Sequence, residues 1–291
     1  VFTTLISTDL LASRRQDPWV VVDCRTDLRD PSWGAAQYLE GHIPGAVFAS
    51  LTADLSGAKT GANGRHPLPC VEDMELTFGR LGISNGVQVV VYDQDSGMFA
   101  SRLWWMLRYL GHDAVAVLDG GWAAWTRERR EQRSGQESRP AATFTGRRRK
   151  EMRLPLEQAI AGLGDPAVLF VDGRAPERYT GESEPIDPVA GHIPGAVNHF
   201  HKLNVTADGR MRPADELRRE LTALLGGRAP QQAVMYCGSG VTACHNLLAM
   251  EHAGLPGAQL YAGSWSEWVS DERRPVETGP GAGTSVTLKP S

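Results

Sequence analysis

The chain is poor in the features that would commit it to a membrane, a nucleic acid or a metal. No apolar run reaches the length that crosses a bilayer, and the opening residues, VFTTLISTDLLASRRQD, carry no basic leader ahead of their apolar part. A soluble, cytoplasmic protein without membrane attachment is expected. Lys and Arg number 30 against 34 Asp and Glu, a net charge of −4 that offers no footprint for nucleic acid. The one basic block, GRRRKEMR from Gly146 to Arg153, reads as solvated linker. Cysteines are few: Cys24, Cys70, Cys237 and Cys244 show neither zinc-ligand spacing nor a disulfide framework, which excludes a stapled secreted scaffold and points to a reducing compartment. No metal and no organic cofactor is expected.

What is present is a repeat. With 291 residues and 41% apolar content the chain can bury a sizeable core and favours two domains over one. In the first half, Leu5 to Arg14 reads as a helix capped near Ser7 or Thr8, and Trp19 to Asp23 as a buried strand. A loop from Asp27 to Leu39 leads to Gly41-His42-Ile43-Pro44-Gly45-Ala46-Val47. Then come helix Val71 to Leu81, strand Val87 to Tyr92, helix Ala100 to Leu110 and strand Ala114 to Leu118. The second half follows the same order: strand Val168 to Val171, GHIPGAV again from Gly191 to Val197, helix Met211 to Leu225, strand Ala233 to Tyr236, helix Thr242 to Glu251. Gly263-Ser264-Trp265 answers Gly120-Gly121-Trp122. An exact repeat inside a matching order of elements points to duplication of one domain. Short connections between alternating strands and helices favour an α/β fold, each half a mainly parallel sheet with helices on both faces. The expected divisions are 1–130, a linker at 131–153 where charge, Ser, Gly and Pro replace apolar periodicity, 154–276, and a Gly, Thr and Pro rich tail at 277–291 that need not be ordered. His42 and His192 fall at equivalent positions of the repeat, so they read as structural and not as metal ligands.

The chemistry concentrates in Gln231 to Met250, QQAVMYCGSGVTACHNLLAM. A buried strand and a helix flank the loop Cys237, Gly238, Ser239, Gly240, Val241, Thr242. Two glycines let the backbone curl and turn its N–H groups toward one point. The helix directs its positive end at the sulfur, which should lower the pKa of Cys237 and make it a nucleophile inside an anion cradle. A cysteine in an apolar run is most often a small buried hydrophobe. That reading suits Cys24 and Cys244, but Cys237 stands at a strand-to-loop junction where an apolar side chain gains little. The counterpart of AVMYCGSGVTA in the first half is VVVYDQDSGMFA, with Asp93 where Cys237 stands. A carboxylate carries no transferable sulfur, so the first half is expected to be scaffold and substrate wall, with the site in the cleft between halves.

The loop Cys-Gly-Ser-Gly-Val-Thr-Ala resembles the active-site loop of the rhodanese superfamily, in particular its mercaptopyruvate sulfurtransferase branch; the resemblance covers nearly the whole chain. It implies sulfur transfer from a small anionic donor through a Cys237 persulfide to a thiophilic acceptor, cyanide, a thiol or reduced thioredoxin, by a monomeric enzyme, with thiosulfate as the alternative donor to 3-mercaptopyruvate. By resemblance Arg178, in Glu177-Arg178-Tyr179, grips the donor's anionic group, and Arg174 lies beside it, anchoring loops and the charge of Asp172. Ser239 and His66, of Gly64-Arg65-His66-Pro67-Leu68-Pro69, match a serine and histidine proton relay, the histidine being suited by a pKa near neutrality. The relay aspartate falls on Thr52, with Asp54 two residues away. A further donor arginine falls on Ile186. Cysteine phosphatases share the loop length but end it with a phosphate-clamping arginine, which is absent here.

Overall fold

The structure, a computed structural model, describes residues 1–14 and 17–281. The first half is a sheet of β1 (Leu5–Ile6), β2 (Val20–Asp23), β3 (Val47–Phe48), β4 (Val89–Tyr92) and β5 (Val115–Leu118), in the order β1-β5-β4-β2-β3. The second contains β6 (Leu169–Asp172), β7 (Val197–Asn198), β8 (Ala233–Tyr236) and β9 (Gln259–Leu260), in the order β7-β6-β8-β9. Every pair in both sheets is parallel. The order β9-β8-β6-β7 repeats β5-β4-β2-β3. The counterpart of β1 is reduced to a parallel bridge between Arg153 and Leu260, with Leu154 N–H donating to Leu260 O at 2.9 Å. One topology has been used twice, as the repeated GHIPGAV requires. β2, β4, β5, β6 and β8 are buried along their whole length, which accounts for near-continuous Val, Leu and Met rather than alternation.

Ten α-helices among the described residues cover the sheets: α1 (Thr8–Ser13), α2 (Trp33–Glu40), α3 (Val71–Arg80), α4 (Ala100–Tyr109), α5 (Gly121–Arg127), α6 (Leu156–Ala161), α7 (Pro176–Thr180), α8 (Ala214–Leu225), α9 (Ala243–His252) and α10 (Ser264–Trp268). None is long and apolar enough to cross a membrane. α4 and α9, the equivalent helices after the equivalent loops, pack on each other where the halves meet. Trp104, Trp105 and Leu107 share one buried cluster with Leu247, Leu248 and Met250. Each helix is therefore buried nearly all round, and the two loops that precede them are brought to the same junction.

Four expectations need correction. Leu5 and Ile6 pair with β5, so helix α1 starts only at Thr8, with Ser7 accepting from Leu10 N–H at 3.2 Å. The stretch read as a loop up to Leu39 contains α2. A Cβ at Gly34 would stand 2.0 Å from Arg25 O, so the glycine lets this helix press against backbone. The stretch read as solvated linker is a strap on the first half. Arg133 bridges His42, Ala142 N–H reaches Gly79 O at 2.9 Å, Arg147 N–H reaches Leu110 O at 2.8 Å, and Phe144 packs edge-on against Phe78. The start of the tail is also held, since Glu277 exchanges backbone bonds with His192 and Gly279 N–H reaches Thr180 O at 2.7 Å; residues 282–291 lie outside the described residues.

A buried polar cluster closes the junction behind α9. His245 Nε2 meets Ser96 O of the first half at 3.0 Å, Asn204 Nδ2 meets His245 Nδ1 at 3.3 Å, and His201 Nδ1 meets Gly173 O at 3.0 Å. Burial, followed by neighbouring charges, pushes His201 down to about 4 and His245 down to about 3. A histidine whose folded pKa is depressed stabilises the fold above its unfolded pKa of about 6.5 and loses that contribution as pH falls toward the folded value, at roughly 1.4 kcal/mol per pH unit for each. The melting temperature should therefore drop steadily from pH 6.5 to 4.5, before most carboxylates titrate. Thermal unfolding followed by circular dichroism tests this, and a flat profile over that range would contradict it.

Candidate active site

β8 ends at Tyr236 and delivers Cys237 to the first position of the loop. Its N–H donates to Ser264 Oγ at 3.1 Å, while Trp265 N–H bonds Cys237 O at 3.0 Å and Ser266 N–H bonds Gly238 O at 2.9 Å. The loop is thus seated on the start of α10. Gly240 has φ +75, and a Cβ there would lie 2.1 Å from Ala262 O, so no other residue closes this turn. The Cys237 thiol is buried, which by itself would push its pKa up. The Thr242 hydroxyl and the N–H groups of Ser239, Ala243 and Gly240, all turned on the sulfur, outweigh burial and leave the pKa below the usual thiol value. Val241 is buried behind the loop. The other thiols differ. Burial and the charge of Asp23 hold Cys24 well above the usual value, burial pushes Cys244 up to about 12, and exposed Cys70 caps α3, accepting from Asp73 N–H at 3.4 Å.

The equivalent loop of the first half shows what such a cradle holds. The Asp93 carboxylate accepts from the N–H groups of Gly97 at 2.9 Å, Phe99 at 2.7 Å and Ala100 at 3.1 Å. An anion fills the start of α4, supplied by the chain itself.

At the mouth, residues from both halves converge. His66 Nδ1 lies 2.8 Å from Ser239 Oγ. Burial, with Arg102, Arg65 and Lys59 nearby, pushes His66 down to about 3, so it is neutral at physiological pH and not poised near neutrality as expected. Asp54 does not stand in behind it: its carboxylate accepts from Ser50 N–H at 2.8 Å and pairs with Arg80. Thr52 is exposed. Arg178 donates from Nε to Glu184 at 3.0 Å and from Nη2 to Asp187 at 3.0 Å, and its guanidinium hangs over Gly238. Arg174 is not at the mouth. Its side chain is buried against Asp172, bonds Gly191 O at 2.6 Å and stacks on Trp265 at 4.6 Å, as Arg25 does with Asp23, Gly41 O and Trp122 in the first half. It anchors loops and the charge of Asp172 as expected, and only its place at the donor beside Arg178 is corrected. Ile186 is exposed and brings no charge. His42 and His192 stack on Tyr38 and Tyr179 and bond their carbonyls at 2.7 Å, inside the two halves.

Two residues were missed. Arg65 reaches across from the first half, pairs with Asp187, and would stand 2.7 Å from a Cβ on Gly238. Its adjacency to His66 was the available signal. Arg102 is wholly buried in α4 and bonds Gly240 O at 2.9 Å and His66 O at 3.0 Å. Its signal was a charge near the start of ASRLWWMLRY, just ahead of the apolar run Leu103 to Leu107.

A buried cysteine of lowered pKa in a cradle of N–H groups, at the meeting of two duplicated α/β halves, has the geometry of an activated thiol. The chain belongs to the rhodanese family: the model of the rhodanese-like domain matches residues 7–128 and 155–271. It is a sulfurtransferase. It is 47% identical over 278 residues to the probable 3-mercaptopyruvate sulfurtransferase of Pseudomonas aeruginosa, covering 94% of this chain and 98% of that protein. The putative thiosulfate sulfurtransferase SseB of Mycobacterium tuberculosis is 40% identical, covering 90% of this chain and 92% of that one. Among solved structures, 3-mercaptopyruvate sulfurtransferase from Leishmania major superposes with a TM-score of 0.83 at 29% identity, covering 94% of this chain and 75% of that one.

Treatment with a sulfur donor should add one sulfur atom to the intact mass, and Cys237→Ser should abolish the gain because Cys24, Cys70 and Cys244 have no cradle. Persistence of the adduct in that variant would move the nucleophile elsewhere.

Proposed function

We propose that the chain is a 3-mercaptopyruvate sulfurtransferase working through a Cys237 persulfide. The observation that carries the choice of donor is the 2.8 Å contact between His66 and Ser239, a proton path beside a loop that holds no cation of its own. The thiolate attacks the donor's sulfur, an S–S bond forms as the C–S bond breaks, and the bonding pair passes to the methylene carbon as pyruvate enolate. The proton on the donor's thiol moves through Ser239 and His66 to that carbon, giving pyruvate and leaving the persulfide anion on the enzyme. Atoms and charge balance with no external acid. A neutral His66 accepts and returns that proton in one passage. The cradle of N–H groups holds the sulfur anion before and after transfer.

Arg178 and Arg65 supply the donor-carboxylate site, one from each half, sharing Asp187 until the donor's carboxylate enters between them. Arg65 provides the second cation that Ile186 does not. A dianion such as thiosulfate gains less here, because Asp187 and Glu184 already balance these arginines, and its sulfite leaving group needs no proton. A second reading, thiosulfate:cyanide sulfurtransfer, is favoured by the absence of a carboxylate behind His66. The acceptor is cyanide, a small thiol or reduced thioredoxin reaching in through the cleft. Four unpaired thiols suit a monomer working in the reducing cytoplasm.

Ser239→Ala and His66→Ala should each lower kcat with mercaptopyruvate by roughly 10²-fold and slow thiosulfate much less. Arg65→Gln should raise KM for mercaptopyruvate about tenfold or more, the loss of one charge-assisted contact. Steady-state kinetics with both donors and one acceptor decide the matter. A higher kcat/KM for thiosulfate, or equal slowing of both donors, would transfer the assignment to the second reading.

A further inference from the structure

Three guanidiniums in the second half or at the mouth, Arg174, Arg178 and Arg65, are each matched by a carboxylate. In the first half Arg25 is matched by Asp23. Arg102 breaks the pattern. It is 0% exposed, yet among the described residues no carboxylate lies within ion-pair distance of it. Its donors go to backbone carbonyls, Nη1 to Gly240 O at 2.9 Å, Nη2 to His66 O at 3.0 Å, and Nε and Nη2 to Leu55 O at 3.4 and 3.3 Å, and its side chain also bonds the Cys244 sulfur. A buried cation is costly unless an anion accompanies it. Two thiols lie next to Gly240: Cys244, which burial holds at about 12 even with Arg102 against it, and Cys237, whose sulfur the Gly240 N–H faces and whose pKa is lowered, so the anion to match Arg102 is that of Cys237.

We propose that Arg102 is the charge partner of Cys237: a guanidinium from the half without the nucleophile that favours the thiolate and the persulfide anion, while pinning the cradle at Gly240 to the relay at His66. The inference rests on Cys237 as the nucleophile and not on the choice of donor. Other groups facing the sulfur do not replace it. Arg65 and Arg178 are neutralised by Asp187 and Glu184, and Arg174 by Asp172. His66 is uncharged, with its pKa pushed to about 3. Cys244 of α9 stays a thiol, burial holding it at about 12, and spends its S–H on Gly240 O at 3.4 Å. Glu267 of α10 bonds Tyr261, and Arg153, the other cation felt by Arg102, lies on the strand-like bridge to Leu260. With the thiolate present the charges of the site close to neutrality; with the thiol, one buried positive charge is left over. Arg102 bonds the Cys244 sulfur and reaches Cys237 only through Gly240, so it is a positioning and electrostatic residue.

The test needs no donor. The rate of Cys237 alkylation by iodoacetamide, read by intact mass across pH 5 to 10 (about that range), reports the thiolate fraction. Arg102→Gln and Arg102→Met should move the inflection up by about one pH unit or more, a roughly tenfold slower reaction at neutral pH, whereas Arg102→Lys, which keeps the charge but cannot reach three carbonyls, should stay near the wild-type inflection. Near-ultraviolet circular dichroism establishes that each variant is folded. Folded neutral variants with an unchanged inflection would overturn the proposal, and so would a Lys variant shifted as far as Gln and Met, which would make the hydrogen bonds and not the charge responsible. Should neither neutral variant fold, the wild type answers. The Arg102 Nε–H resonance, assigned through Arg102→Lys, should titrate with the Cys237 inflection and stand still in Cys237→Ser; a resonance that does not move in the wild type overturns the idea. Failure here leaves the mercaptopyruvate reading untouched, and failure of that reading leaves this one testable.

Discussion

An anion held by converging peptide N–H groups at the junction of a strand and a helix is the constraint on which the molecule depends. A sulfur atom 2% exposed ionises readily only if several donors are fixed around it before it is charged. That demand dictates Gly240, whose turn passes too close to Ala262 O for any side chain, and Ser264 and Trp265, which clamp Cys237 from behind. It also dictates the buried strand β8, a rigid rod that fixes the first atom of the loop. The parallel sheet and its helices are the means of holding a handful of amide hydrogens still.

The second demand is that two halves meet. α4 and α9 are buried against each other, so the interface is continuous core and not a wet seam between independent bodies. Because of that packing, His66, Arg65 and Arg102 of one half reach Ser239, Asp187 and Gly240 of the other. The strap from Arg133 to Arg149 is laid against the first half before it crosses to β9, which shortens the free chain between them. The half with Asp93 in place of the cysteine therefore contributes His66, Arg65 and Arg102 to the junction.

Much of this could be read from the residues alone. The duplicated GHIPGAV, the order of strands and helices, and the position of Cys237 follow from local patterns: periodicity, an exact repeat and a glycine-flanked cysteine between strand and helix. What escaped depends on distance in space. The segment from Asp27 to Leu39 looked like a loop because nothing in sequence reveals that its helix packs with Gly34 against Arg25 O. Arg174 and Arg178 lie four positions apart in one motif, yet one is sunk against Trp265 and the other overhangs the loop, a difference made by packing. His66 looked suited to titrate near neutrality, but burial among three cations removes that property and leaves a neutral imidazole beside Ser239. Asp54 was considered because it lies two residues from Thr52, where the relay aspartate falls, and its commitment to Arg80 and Ser50 is a matter of fold.

Asp93 gives the duplication a further meaning. A cradle that attracts anions is a hazard when idle, since sulfite, phosphate or a stray donor would lodge in it. In the first half the chain plugs the cradle with its own carboxylate, tethered by four N–H bonds and beyond the reach of solvent. Each polypeptide is left with a single berth for sulfur. Stoichiometry is thereby written into the architecture: the sulfur loaded in one cycle counts molecules, and the enzyme serves as its own titrant.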